Sequence, residues 1–153
     1  MTKTTSYTPG VYEIRALEAF RNAGLRITGP RVQVIRTLEK SQKAMSAQSI
    51  HQEIVQSGNR VDLVSVYRIL GTLVELNLVH HIGMVDGYMA CGLADCRPED
   101  TEHLVCSKCG KVTEIQVPLS AVEDARKQIA SHGFQVQSIK IEVRGECRSC
   151  SAP

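Results

Sequence analysis

Two Cys-x-x-Cys turns, Cys106-Ser-Lys-Cys109 and Cys147-Arg-Ser-Cys150, stand near the end of this chain with 37 residues between them. Each turn brings two sulfurs together on one short loop. Two such turns can close a tetrahedral thiolate shell around Zn²⁺ with no position left for water, which makes the site structural rather than catalytic. The spacing therefore predicts a small metal-stapled domain over the last third of the chain, with Cys106, Cys109, Cys147 and Cys150 as zinc ligands. Of six cysteines, this leaves Cys91 and Cys96 for other chemistry.

A chain of 153 residues makes one ordinary domain or two small ones, and a small domain with a limited core gains from a metal staple. With no Trp, two Phe and four Tyr, the cores must be aliphatic. No apolar run approaches membrane-spanning length and residues 1–10 are polar and Thr-rich, so a cytoplasmic protein with no membrane partner is expected. In that setting paired Cys-x-x-Cys runs read as thiolates on metal rather than disulfides. Net charge is +2; up to residue 90 there are ten Lys/Arg against seven Asp/Glu, and beyond it eight against nine. The mild basic excess lies on the half without the Cys-x-x-Cys turns.

Apolar residues at helical spacing mark four helices in the first half. Val11, Ile14, Leu17 and Phe20 form the face of the first, which Gly24 ends. Thr28 and Pro30 open the second, with Val32, Ile35 and Leu38 inward. Ser46 caps the third, anchored by Ile50 and Ile54, with Gly58 past its end. Asp62 caps the fourth, whose Leu63, Val66, Leu70, Leu73 and Val74 face a core while Ser65, Tyr67, Arg68, Thr72 and Glu75 look outward. Asn77 stops it. Residues 78–85, an Asp86-Gly87 turn and residues 88–91 then read as a hairpin. Helices followed by a hairpin is the order of a winged helix-turn-helix. The polar loop 92–102 is a hinge, and residues 103–153 supply short strands at 103–106 and 111–117, a helix at 119–131 and a strand at 134–143 with a bend between Val136 and Ile139. The expected class is α+β, with residues 1–91 as the winged-helix domain and 103–153 as a small α/β metal domain.

Near the start of the fourth helix, Arg68 can reach guanine O6 and N7 bidentately and Tyr67 can meet a thymine methyl in a major groove. A solvated Tyr-Arg face is the plain alternative. Arg26 and Arg31 flank the Thr-Gly-Pro turn and can hold phosphates. Sensor candidates are His80, His81, Cys91, Cys96, His103, Glu114 and His132. Pairing across the Asp86-Gly87 turn, with residue numbers summing to about 173, makes His80 and Cys91 near neighbours. Each candidate by itself also fits a bland role, Cys91 as a small core residue and Glu114 as surface charge.

The series Gly24-Leu-Arg-Ile-Thr-Gly-Pro-Arg31, Val66-Tyr-Arg-Ile-Leu70, His103-Leu-Val-Cys-Ser-Lys-Cys-Gly-Lys111 and His132-Gly-Phe134 resembles the ferric uptake regulator family of bacterial metalloregulators, in the family's order and over nearly the whole chain. The resemblance implies a homodimeric winged-helix repressor, with residues 103–153 as its α/β dimerisation domain, that binds a palindromic operator in double-stranded DNA and is not an enzyme. It implies structural zinc on the four paired cysteines, and DNA contacts from Tyr67 and Arg68 beside Ser65, Arg26 and Arg31. Leu78-Val-His80 and Tyr88-Met-Ala-Cys91 are similar to the zinc uptake regulator branch, whose regulatory site maps to His80, Cys91 and Glu114. The fourth ligand lies among His103, Glu99 and Cys96. Iron-type members carry a histidine before the third helix where this chain has Gln42-Lys-Ala-Met45, and a His-rich run where it keeps His103 alone. A second regulatory site around His132 loses several partners and is expected to be weak or absent.

The reading is thus a repressor with Zn²⁺ as corepressor, since thiolate with imidazole and one carboxylate suits tetrahedral Zn²⁺ better than octahedral Fe²⁺ or Mn²⁺. An iron or peroxide sensor on the same fold is the alternative. From other classes, the alternatives are a thiol-disulfide enzyme using Cys-x-x-Cys chemistry and a zinc-ribbon interaction protein without DNA binding, the latter leaving Tyr67 and Arg68 silent.

Overall fold

The computed structural model describes residues 10–92, 100–116 and 118–151. The chain divides into two compact units, Met1–Cys96 and Arg97–Pro153.

The first unit contains α1 (Val11–Asn22), α2 (Gly29–Lys40), α3 (Ala47–Gln56) and α4 (Leu63–Glu75), then a hairpin of β1 (Val79–Ile82) and β2 (Gly87–Ala90). Its core is built from Tyr12, Ala16 and Phe20 of α1, Val34, Ile35 and Leu38 of α2, Ile50 and Ile54 of α3, and Val66, Leu70 and Leu73 of α4, extended by Leu78 and Val79. Each large aliphatic side chain buried here stabilises the unit by about 1.5–3 kcal/mol relative to exposure. That core holds the helices and hairpin in the winged helix-turn-helix arrangement.

The caps follow the sequence reading where an oxygen is free to accept. Ser46 accepts from the Ser49 N–H at 3.1 Å, and Asp62 accepts from the Ser65 N–H at 2.8 Å. Thr28 precedes α2 in extended conformation but makes no side-chain cap bond, and Pro30 occupies the first turn instead. The N-terminus of α1 is capped from another helix: the Glu39 carboxylate accepts from the N–H groups of Gly10 at 2.7 Å and Glu13 at 3.1 Å. Arg36 reinforces this join by donating to Glu13 at 2.9 Å.

The inward face of α1 differs from the expected one. Tyr12, Ala16 and Phe20, four residues apart, are buried, while Val11 and Ile14 are 56% and 61% exposed. The hairpin register also differs. His80 pairs with Met89 and Ile82 with Gly87, because a 3-10 turn at Gly83–Val85 and left-handed Asp86 (φ 45°) lengthen the connection. Partner numbers therefore sum to 169 rather than 173.

The hairpin is tied to the loop before α3. Met45 and Tyr88 exchange backbone hydrogen bonds of 2.9 and 2.7 Å. A Cβ placed on Gly87 would stand 2.9 Å from Ala44 Cβ and 3.1 Å from the Ala44 carbonyl carbon, so this approach requires glycine.

The second unit contains β3 (Asp100–Cys106), β4 (Val112–Ile115), α5 (Leu119–Ser131), β5 (Ile139–Gly145) and a short turn of helix α6 (Arg148–Ser151). The sheet order is β4-β3-β5, with β3 antiparallel to β4 and parallel to β5. Strand β3 starts at Asp100 rather than His103, and β5 starts at Ile139, beyond the expected bend, so residues 134–138 are not strand and Phe134 is 69% exposed. No helix among the described residues is long and apolar enough to cross a membrane.

Candidate metal centres and nucleic-acid interface

In the second unit the two Cys-x-x-Cys turns meet. The first lies in the turn from β3 to β4, and the second begins after β5 and runs into α6; the parallel β3–β5 pairing that sets Cys106 beside Gly145 puts both turns at one end of the sheet. The four sulfurs all lie within 4.8 Å of one another. Cys109 Sγ and Cys147 Sγ are 3.7 Å apart. A tetrahedral Zn–S₄ centre with bonds of ~2.3 Å has edges of about 3.8 Å, close to the Cys109–Cys147 separation, so this donor set suits zinc.

The electrostatics of the cage point the same way. The Cys147 N–H donates to Cys106 Sγ at 3.3 Å. That bond, helped by the N–H groups of Cys109 and Lys108, pulls the Cys106 thiol down to about 6, so it is a thiolate at neutral pH. Hydrogen bonding to Cys147 and then Cys109 pushes Cys150 up to about 12, because neighbouring sulfurs cannot all carry charge without a cation. A bound dication removes that conflict and deprotonates the set.

In the first unit, the hairpin sets His80 on β1 and Cys91 just past β2. Cys91 lies opposite Leu78, donating its N–H to the Leu78 carbonyl at 2.9 Å, so it is diagonal to His80 on one face. The His80 and Cys91 donor atoms lie within 4.8 Å of each other. Cys91 is fully buried and His80 is 8% exposed. Ligation by Cys91 requires its reduced thiolate form.

In the second unit, the β3 position of His103 faces Glu114 on β4 and Glu142 on β5. One imidazole thus stands in a rung between two carboxylates. His103 is fully buried, and Glu114 and Glu142 are half-buried. Glu142 was not a sequence candidate. The signal that could have found it is the parallel β3–β5 register, which no local pattern encodes. Cys96 and Glu99 lie outside the described residues.

On α4, the Asp62 cap also accepts from the Ser65 hydroxyl at 2.6 Å, which ties Ser65 to the cap. Tyr67 is 44% exposed and Arg68 is exposed, on the face opposite buried Val66, Ile69, Leu70 and Leu73. The Arg31 guanidinium stacks 5.0 Å over the Phe20 ring and donates to the Arg26 carbonyl, whereas the Arg26 residue is exposed. Both flank the start of α2. His132 caps the end of α5 as an exposed residue.

The ferric uptake regulator family model matches residues 22–144, spanning α2 to most of β5. The chain belongs to the ferric uptake regulator family. The "Ferric uptake regulation protein" of Legionella pneumophila is 32% identical over 135 residues, covering 87% of this chain and 96% of that one. Among solved structures, a zinc uptake regulator complexed with zinc and DNA is 26% identical with a TM-score of 0.81, covering 94% of this chain and 95% of the other. Holo XcZur matches with the same TM-score at 24% identity, covering 95% of this chain and all of that one, a likeness of fold.

As a ferric uptake regulator family member the protein is a metal-responsive regulator. The winged unit presents the exposed Tyr67-Arg68 face of α4. The second unit holds the Cys₄ cage, which can take a structural metal.

Proposed function

We propose that the protein is a zinc-responsive transcriptional repressor, a homodimer that binds a palindromic operator when zinc is available. Structural zinc is held by Cys106, Cys109, Cys147 and Cys150, and regulatory zinc by His80, reduced Cys91, His103 and Glu114. Tyr67 and Arg68 read bases, while Arg26, Arg31 and Ser65 set the docking register on phosphates.

The observation that carries the zinc reading is the pairing of a buried cysteine with a buried imidazole on one face of the wing, donor atoms within 4.8 Å. Soft thiolate beside imidazole favours Zn²⁺ over the harder Fe²⁺ and Mn²⁺, which prefer oxygen-rich octahedral shells. The solved zinc- and DNA-bound regulator of similar fold supports the same reading. When bound, the ion would link ligands from the wing to ligands from the sheet and favour the dimer whose two α4 helices fit successive major grooves, about 34 Å apart. Metal and operator then raise each other's affinity by the same factor.

The ferric uptake regulation names of its relatives favour iron as the second reading. Operator affinity measured against free Zn²⁺, Fe²⁺ and Mn²⁺ under reducing conditions separates them. Half-maximal binding at far lower free Zn²⁺ than Fe²⁺ supports the zinc reading. Binding restored by Fe²⁺ and not by Zn²⁺ overturns it.

A further inference from the structure

Cys91 is held at both of its main-chain groups. Its N–H donates to the Leu78 carbonyl within the hairpin, and its carbonyl accepts from the Arg15 guanidinium of α1. Those two residues are 76 apart in sequence, so this contact is a tertiary tie between the first helix and the end of the wing. Arg15 is itself oriented: its guanidinium carbon lies 5.5 Å from the centroid of the Tyr12 ring one turn earlier, and Tyr12 is buried in the core. The helix that carries both is fixed at its start by Glu39 and Arg36 of α2.

We propose that Arg15 is a positioning residue for metal sensing, holding the Cys91 backbone so that the Cys91 sulfur and the His80 ring present their donors together. The physical case rests on where Cys91 sits. It directly follows β2, where the β1–β2 register ends, and the Arg15 bond to its carbonyl ties the Cys91 peptide from outside the hairpin. A guanidinium is a charged, planar donor, and a charge-assisted bond to a buried carbonyl is stronger than a neutral one. An outer partner of this kind lowers the cost of ordering a ligand and typically changes metal affinity by about 10- to 100-fold when removed. The same tie makes α1 a mechanical neighbour of the sensing cysteine, and the Glu39 and Arg36 contacts pass it on to α2.

The proposal rests on the zinc reading of His80 and Cys91, and the test separates the two. Reduced full-length wild type, Arg15→Met and Arg15→Lys are titrated with Zn²⁺ at fixed operator DNA, with structural zinc and melting temperature measured for each. Arg15→Met should raise the free zinc at half-maximal operator binding by about 10-fold or more. Its operator affinity at saturating zinc should stay within about twofold of wild type, and its structural zinc should be unchanged. Arg15→Lys keeps the charge but not the planar fork and should shift the midpoint less. A loosened helix α1 would instead lower operator affinity at saturating zinc and leave the midpoint in place, and that result overturns the proposal. If Arg15→Met does not fold, the Arg15→Lys midpoint decides: a severalfold rise supports the role and an unchanged midpoint overturns it. Wild type without zinc-dependent binding overturns the zinc reading and the Arg15 role together, whereas a zinc-responsive wild type with unshifted variants overturns the Arg15 role alone.

Discussion

The main-chain N–H of Cys147 donates to the sulfur of Cys106 at 3.3 Å, joining the two Cys-x-x-Cys turns before any metal is considered. The bond holds Cys106 down at about 6, while Cys150 is pushed up to about 12 by its sulfur neighbours. Loading a dication must therefore expel thiol protons, and acid must work against it. Zinc uptake by the metal-free protein should release protons at neutral pH, measurable in weakly buffered solution with an indicator. Zinc affinity should fall as pH drops, and more steeply below about 6, where Cys106 of the metal-free cage also holds a proton. Cys106→Ser and Cys147→Ser should each lose this zinc and melt at lower temperature, since metal-binding energy here is also folding energy. Fully folded, zinc-free variants with wild-type melting would contradict the structural role.

Exposure of Arg68 beside Tyr67, on a helix whose other face is sealed into the core, assigns the two faces of α4 different work. Arg68→Ala should weaken specific operator binding by about 1–3 kcal/mol and relax base preference, as expected on losing a bidentate guanine contact. Arg26→Ala should weaken all duplexes alike and reduce the salt dependence of binding. Competition with scrambled DNA at two salt concentrations distinguishes these outcomes. An unchanged specific-to-nonspecific ratio in Arg68→Ala would remove α4 from base recognition.

The wing is seated by a backbone approach that leaves no room for a methyl group. Gly87→Ala would place Cβ 2.9 Å from Ala44 Cβ and 3.3 Å from the Met45 nitrogen, neither of which is the free end of a flexible side chain. Overpacking of this kind costs about 1–3 kcal/mol. The loss should appear as a lower denaturation midpoint, with the Cys₄ cage in the other unit keeping its metal. A neutral Gly87→Ala would mean that the loop carrying Ala44 yields freely.

Asp62 supplies a pH-dependent cap to α4. The Ser65 hydroxyl, then the Ser65 N–H, hold its carboxyl below the ordinary 3.8. Because the folded value lies below the unfolded one, the cap's contribution is fully present above about 4 and is lost as pH falls through the folded value. Asp62→Ala should therefore melt below wild type near neutral pH, with the gap closing under acid. A gap that is constant from neutral pH down through 3 would show that the carboxylate charge is not what caps the helix.

Much of this architecture is written in local patterns. Ser46, Asp62 and Asn77 mark helix ends through side chains whose chemistry acts within one turn, and the structure uses all three, Asn77 with φ at 57°. The two Cys-x-x-Cys turns are legible because metal geometry restricts their spacing. What escaped is set by tertiary choice. On α1 both a three-spaced set, Val11, Ile14, Leu17 and Phe20, and a four-spaced set, Tyr12, Ala16 and Phe20, are apolar enough to be buried; packing against α2 selects the second. The hairpin register slipped because Gly83–Val85 coil into a 3-10 turn, which strand alternation does not anticipate. His80 and Cys91 remain on one face because the sum fell from 173 to 169, an even shift that preserves side-chain parity. Glu142 and Arg15 were invisible for a different reason: each is brought to its partner from a distant part of the chain, by a parallel strand and by a helix.

That preserved parity leads to the sharpest test of the sensing reading. Cys91 is buried beside His80, is not one of the four cage cysteines, and is therefore dispensable for the cage and for the hydrophobic core built by α1 to α4. Replacing its sulfur by oxygen removes the soft donor while changing volume little, so Cys91→Ser should fold, keep one structural zinc per chain and remain dimeric. It should nevertheless lose most zinc-dependent operator binding, because an ion shifts a conformational equilibrium only by its differential affinity for the two states, and a serine hydroxyl is a far weaker zinc ligand than a thiolate. Cys96→Ser is the matched control, with a smaller expected effect. Operator affinity is measured against free zinc for the three reduced proteins, with structural zinc counted in each. An unchanged zinc midpoint in Cys91→Ser would return Cys91 to the role of a small buried residue at the end of the wing.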